Sequence, residues 1–222
     1  MVMTQSEELF EQFCNETGID CLKIEEGDEK SPDYELKFGD ITVIAEVKEF
    51  DRNDAEKASD KSLKERGYGE ALGNTPGDRI RKKINSASPQ IKKRTKGINP
   101  GILVLFDRGM VAGHIDPYNI RVAMCGLEQV HISVPHDPSE APYTTGMSYG
   151  PKRKMTETAN TSISAIGALF AIGPKELKFS LYHNKYASVP LDPDVVSKYG
   201  ITQYILEEDI DGRTSGWEKI EP

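Results

Sequence analysis

The stretch Ser31-Pro32-Asp33-Tyr34-Glu35-Leu36-Lys37-Phe38-Gly39-Asp40-Ile41-Thr42-Val43-Ile44-Ala45-Glu46-Val47-Lys48 holds two β-rich runs on either side of a Gly-Asp pair. That pattern specifies a β-hairpin. A two-residue turn at Gly39-Asp40 makes paired residue numbers sum to 79, which sets Asp33 opposite Glu46. Residues opposed in a ladder have Cβ atoms about 4.5–5.5 Å apart and share a face. Lys48 lies two positions beyond Glu46 and so points to the same side. Local geometry alone thus gathers two acids and a lysine.

Like charges placed opposite one another destabilise a strand pair, and Glu46 interrupts an otherwise apolar run. A hard divalent cation offsets such repulsion. Mg2+ prefers oxygen ligands and is commonly held by one or two protein carboxylates, with water and phosphate completing its shell. Asp33 and Glu46 are therefore candidate metal ligands. Lys48 is a candidate to orient or deprotonate a water, or to stabilise charge building on phosphorus. The competing account makes Asp33 a turn residue and Glu46-Lys48 a weak ion pair on an exposed strand.

Outward from the hairpin, Thr4 and Glu7 have capping-box spacing, and Leu9, Phe10, Phe13 and Cys14 form one face of a helix that should stop at Gly18. Ile19 to Glu25 reads as a strand and Glu26 to Ser31 as a polar turn. Asn53 to Gly73 is polar, with Gly67, Gly69 and Gly73 weakening any long helix. A basic helix is expected from about Asp78, with Ile80, Ile84, Ala87 and Ile91 in one stripe; Pro89 is expected to kink or split it. Gly101 to Phe106 has the unbroken apolarity of a buried strand. Asp116-Pro117 opens a short helix ending near Gly126, and Gln129 to Val134 is a strand. Pro135 to Thr158 is the longest irregular stretch and the expected flexible loop. Strands resume over Ile163–Ile172 and Leu177–His183, and the tail from Gly212 should fray.

The net charge of the 222-residue chain is -8, which excludes a wholly basic nucleic-acid coat. From Arg52 to Lys96, however, 13 Lys/Arg face 6 Asp/Glu, a local +7 that leaves -15 elsewhere. Such a block is either a solvated helical surface or a phosphate-tracking face. In it, Arg79, Lys82, Lys83, Lys92 and Lys93 are the candidate nucleic-acid contacts. The three cysteines Cys14, Cys21 and Cys125 lack CxxC spacing and suit reduced thiols. No apolar run approaches the roughly 20 residues of a membrane span. Met1 to Glu8 lacks the regions of a signal peptide, so a cytoplasmic protein without a membrane partner is expected.

Pro32-Asp33 followed by Glu46-Val47-Lys48 resembles the PD-(D/E)XK nuclease signature. The likeness extends through about residue 107: a leading helix with an acid, a strand, the motif hairpin, a basic helix ending in Gln-Ile-Lys-Lys and a buried strand come in the family's order. The resemblance implies an α/β, restriction-endonuclease-like core with a central mixed β-sheet flanked by helices. It further implies Mg2+-dependent hydrolysis of nucleic-acid phosphodiesters, Mn2+ substituting, with Asp33 and Glu46 on the metal and Lys48 assisting the nucleophilic water. Many members add an acid from the first helix. Glu7, Glu8 and Glu11 compete for that place here, and Glu7 borders the apolar face. A glutamine of the later helix often stands near the site, which nominates Gln90 against the simpler account of a surface amide. His183, at a strand end, reads as a hydrogen-bonded structural residue rather than an acid/base.

The expected organisation is one nuclease-like domain over residues 1–222, with the motif core at about 4–107 and a C-terminal extension of the sheet at about 108–211. The function implied is a Mg2+-dependent endonuclease, its partner DNA. The alternatives are a catalytically silent binding domain of the same fold and a nuclease subunit active only within a larger defence or mobile-element complex. A homodimer is expected if the product is a double-strand break, since one site cuts one strand.

Overall fold

The computed structural model describes residues 3–25, 30–69, 75–107, 113–172, 176–208 and 214–221. Helix α1 (Gln5–Thr17) begins at the expected capping box: Glu7 N–H donates to Thr4 Oγ1 (3.3 Å) and Thr4 N–H to Glu7 Oε2 (2.9 Å). It ends at Gly18, whose φ of 73° is the left-handed cap that glycine adopts without a Cβ clash. Strand β1 (Asp20–Lys23) pairs antiparallel with β2 (Tyr34–Phe38), which turns at Gly39-Asp40 into β3 (Ile41–Phe50). The partners Tyr34↔Ala45, Leu36↔Val43 and Phe38↔Ile41 have the register expected from the two-residue turn. Asp33 stands one residue before β2, and its N–H donates to the Ala45 carbonyl (3.1 Å).

Helix α2 (Asp54–Arg66) has its own capping box, Asn53 with Glu56, ends at Gly67 and buries no residue. Helix α3 (Asp78–Thr95) runs through Pro89 as one element, so of the kink or split expected there the split does not occur. The reason is packing on both sides of the proline. Pro89 is exposed, while Ile80, Ile84, Ala87 and Ile91 are wholly buried in a single stripe that spans it. The N-terminal half is clamped by buried Arg81, which donates to the carbonyls of Pro76 (2.7 Å), Val122 (2.6 Å) and Lys152 (2.9 Å). The C-terminal half lies against Gly101, where a Cβ would come within 2.3 Å of Ile91 Cγ2.

Strand β4 (Gly101–Asp107), buried as expected, runs parallel to β3. Helix α4 (Pro117–Cys125) follows its Asp116 cap, and then come β5 (Glu128–Ser133), β6 (Tyr143–Tyr149), β7 (Ala165–Ile172) and β8 (Glu176–His183). Helix α5 (Pro193–Ser197), β9 (Thr202–Glu208) and β10 (Thr214–Ile220) complete the order. Eight strands form one mixed sheet ordered β1-β2-β3-β4-β7-β8-β9-β10, while β5 and β6 form a separate two-stranded ribbon. One core lies on the α1 and α5 side of the sheet, with Phe10, Phe13, Val43, Ala45, Val47, Val104 and Val196. The other lies on the α3 and α4 side, with Phe50, Ile84, Ile91, Leu103, Leu105 and Ile120.

Two expectations are corrected. The stretch 135–158 is not wholly irregular, since β6 lies inside it and its ladder with β5 supplies order without an alternating burial pattern. The tail expected to fray contains β10, an edge strand paired with β9, and Trp217 Nε1–H in it donates to the Pro117 carbonyl (2.8 Å). The turn expected at Glu26–Ser31 lies in part, at 26–29, outside the described residues, as do Gly73 and Gly212. Among the described residues no helix is long and apolar enough to cross a membrane.

Candidate functional site

Strand β3 leaves the turn with Val43, Ala45 and Val47 facing α1 and Ile44, Glu46, Lys48 and Phe50 facing α3. Glu46 is wholly buried, an acid set among apolar neighbours, while the Lys48 side chain is 26% exposed and ion-paired to Glu46 Oε1. Asp33 is oriented by the backbone: Val47 N–H donates to its Oδ2 at 2.7 Å. The register therefore does bring Asp33, Glu46 and Lys48 to one place.

The electrostatics of the pair are those of crowded carboxyls. Burial pushes Glu46 up to about 7, and the charge of Asp33 adds to it, while the Lys48 ammonium opposes the rise. Asp33 is also raised, by burial first, against the lowering effects of the Val47 N–H and Lys48. Glu46 hydrogen-bonds to Asp33, so in the absence of a cation one proton is favoured between them. A metal ion would replace that proton.

Gln90, on α3, reaches the same point. With its amide nitrogen turned toward the strand, it donates to Glu46 Oε1 (2.9 Å) and to the Ser31 carbonyl (3.0 Å). The amide is thus a brace between the helix, the buried acid and the segment leading to Pro32-Asp33. Of the first-helix acids, Glu7 completes the capping box, pairs with Lys23 Nζ at 3.4 Å, and acts on Asp33 through its charge. Glu11 is taken by the Tyr34 hydroxyl, which donates to it at 2.9 Å.

The basic candidates divide along α3. Lys93 lines an open cleft of about 480 Å³ together with Lys30, Lys48, Ser86, Pro89 and Gln90. A smaller recess of about 230 Å³, lined in part by Lys30, Ser31, Lys93, Arg94 and Lys96, adjoins it. Lys82 and Lys92 are exposed on the helix. Lys83 is half-buried over the Phe50 ring (5.6 Å); burial lowers its pKa, with Asp51 opposing and Lys48 and Arg79 adding to the effect. Arg79 is committed within the fold, its NH1 2.6 Å from Glu56 Oε1 and its NH2 donating to the Asp51 carbonyl.

Sequence reasoning missed Lys23 and Lys30. Lys23 pairs with Tyr34, the residue after Asp33, its ammonium stands over the Tyr34 ring (5.8 Å), and its charge favours the ionised form of Asp33. His183 is a structural residue, its Nε2 2.9 Å from Gln203 Oε1 and its pKa lowered by burial.

The donor set suits one kind of cation. Among the described residues no group of three or more His, Cys, Asp and Glu is placed to hold a metal ion. Two carboxylates, one of them buried and raised, fit a hard ion that keeps water and substrate oxygens in its shell. No family model, no curated protein and no solved structure matches the chain.

Proposed function

We propose that the chain is a Mg2+-dependent nuclease of the PD-(D/E)XK type, built on a restriction-endonuclease-like core, that hydrolyses phosphodiester bonds of DNA. One observation carries the reading: Asp33, Glu46, Lys48 and Gln90, drawn from a loop, a strand and a helix, meet beside a cleft that also presents Lys30 and Lys93. A cleft lined by lysines next to two acids fits a polyanion whose reacting phosphate is neutralised locally.

Asp33 and Glu46 would hold the ion, which supplies Lewis-acid polarisation of the phosphodiester and a lower pKa for water. The protein's own contributions follow from contacts already described. Val47 N–H fixes the Asp33 carboxylate, and Gln90 Nε2–H fixes that of Glu46. Lys48 Nζ lies beside Glu46 and, being partly exposed, presents its charge to the cleft, where it would stabilise negative charge on the reacting phosphate. Lys30 and Lys93 bind flanking phosphates.

The test is to incubate the purified chain with single-stranded, duplex and branched DNA and with RNA, in Mg2+, Mn2+ or EDTA. Cleavage in Mg2+ that EDTA stops, and that Asp33→Asn, Glu46→Gln and Lys48→Ala each remove, is the expected result. Cleavage surviving in all three variants would overturn the site. Binding without cleavage in every metal would favour a silent binding domain or a subunit that needs its assembly.

A further inference from the structure

One ion cluster lies outside the site and is not used by that chemistry. Helix α2 buries no residue, yet Glu56 in its first turn sits among the side chains of Arg52, Arg79 and His114. Glu56 Oε1 is 2.6 Å from Arg79 NH1 and 2.9 Å from His114 Nε2, and its Oε2 is 3.9 Å from Arg52 NH1. Asp60, one turn on, is 3.7 Å from Arg52 Nε. These three partners come from the body of the protein. Arg52 follows β3, Arg79 opens α3 with its guanidinium over the Phe50 ring (5.2 Å), and His114 N–H donates to Asp107 Oδ2 at the end of β4 (2.9 Å). Arg52 NH2 is buried without a hydrogen-bond partner among the described residues, a donor that the two carboxylates leave unused.

The cluster also lies on a line with the site. At 100° per residue, Arg79, Lys83, Ser86, Gln90 and Lys93 fall on one stripe of α3. Ser86, Gln90 and Lys93 line the cleft, and Lys83 stands between them and Arg79. Arg79 is about 16 Å from Gln90 along the helix axis. The stripe is a basic track that is open at the cleft and covered at its N-terminal end by Glu56, from a helix that buries no residue.

We propose that Arg52, Arg79 and His114 form a phosphate-binding site for the nucleic-acid backbone, that Glu56 and Asp60 occupy it as stand-ins for phosphate, and that bound substrate displaces α2. The inference rests on the nuclease reading for the identity of the polyanion, while the exchange of carboxylate for phosphate rests on the cluster alone. Guanidinium groups bind either anion bidentately. A helix that buries no residue and is tied to the body by ion pairs opens more readily to a competing charge than one held by a buried apolar face.

The experiment is a binding titration of the full chain with a fluorescein-labelled DNA duplex in EDTA, so that no hydrolysis is needed. The variant Glu56→Gln/Asp60→Asn keeps the α2 capping box, which accepts Gln as well as Glu. It is expected to bind the duplex about fivefold tighter than wild type, because the open state no longer competes with an internal anion. The slope of log K against log salt should steepen by about 0.9 for each phosphate contact recovered. Adding Arg79→Gln should erase both gains. In wild type, the duplex should raise amide hydrogen exchange across 54–66. Unchanged or weaker binding by the double variant, a gain that survives Arg79→Gln, or an α2 whose exchange the duplex leaves unaltered would each overturn the proposal. Wild type that binds and releases α2 but fails to cleave in Mg2+ would sink the nuclease reading and leave this one standing.

Discussion

The two faces of β3 obey opposite rules. Toward α1 the strand presents Val43, Ala45 and Val47, all buried against Phe10, Phe13 and Tyr34, and its acid on that side, Glu49, stands at the strand end, where it accepts from the Ser6 N–H (3.3 Å). Toward α3, one residue out of phase, it presents Ile44, Glu46, Lys48 and Phe50, so a buried acid and its lysine interrupt the apolar series. A side chain such as Glu46 costs folding free energy unless it is paired, and the α3 face supplies Lys48 and Gln90 for that purpose. The first face holds the sheet together. The second carries a buried acid whose cost Lys48, Gln90 and a bound proton offset.

The comparison is broken most sharply by changing one face at a time. On the proposed reading, Glu46→Ala should reduce DNA hydrolysis by about 10³-fold or more, since it would remove a metal ligand along with the partner of Lys48, with a fold that remains intact by circular dichroism. On the other face, Phe10→Ala removes a ring packed edge-on against Tyr34 (5.7 Å) and Phe179 (5.8 Å). It should cost about 3–5 kcal/mol of stability, while kcat measured below the lowered melting temperature stays near that of wild type. A chemical face that proved to be mainly structural would give the reverse: an unfolded Glu46→Ala, or an inactive but folded Phe10→Ala.

A finer cut lies within the α3 face. Gln90 touches Glu46 and Ser31 rather than any reacting group, so Gln90→Ala should lower kcat about 10-fold to 100-fold and weaken metal affinity, the range found when a residue that orients a ligand is lost. Gln90→Glu should do worse, because it sets a third carboxylate against a pair already crowded. Equal kinetics for wild type and both variants would return Gln90 to the helix surface.

Both faces of β3 could be read from residues 31–48, because a two-residue turn leaves one register and period two then assigns every side chain. The stripe of α3 was legible for the same reason, at period 3.6. Contacts between segments distant in the chain were not. Arg79 read as a free phosphate ligand because Glu56 and His114, 23 and 35 residues away in sequence, leave no local trace. The strands β6 and β10 escaped notice because a ribbon and a sheet edge bury too little to impose alternation on Thr144-Thr145-Gly146 or on Gly216-Trp217-Glu218-Lys219. Pro89 misled in the other direction: a rule about one backbone bond was overruled by four buried side chains spread on either side of it.

The smallest expected effect distinguishes the faces by pH. In the folded, metal-free protein Glu46 holds its proton up to about 7, against an ordinary 4.5. Folding therefore binds a proton between those values. The associated stability is complete below about pH 4.5 and is lost as pH rises through 7. Asp33 moves in the same direction and adds to the loss. From pH 5.5 to 8 in EDTA, the melting temperature should fall by about 5 °C, equivalent to about 2 kcal/mol for a chain of this size. Glu46→Gln, which cannot ionise, should flatten the profile, and Mg2+ should flatten it too by taking the place of the proton at the high-pH end. A wild-type profile that rises over this interval would mean that Lys48 outweighs burial and Asp33 combined. Glu46 would then be an ordinary paired carboxylate, and the α3 face of the strand no more burdened than the face opposite.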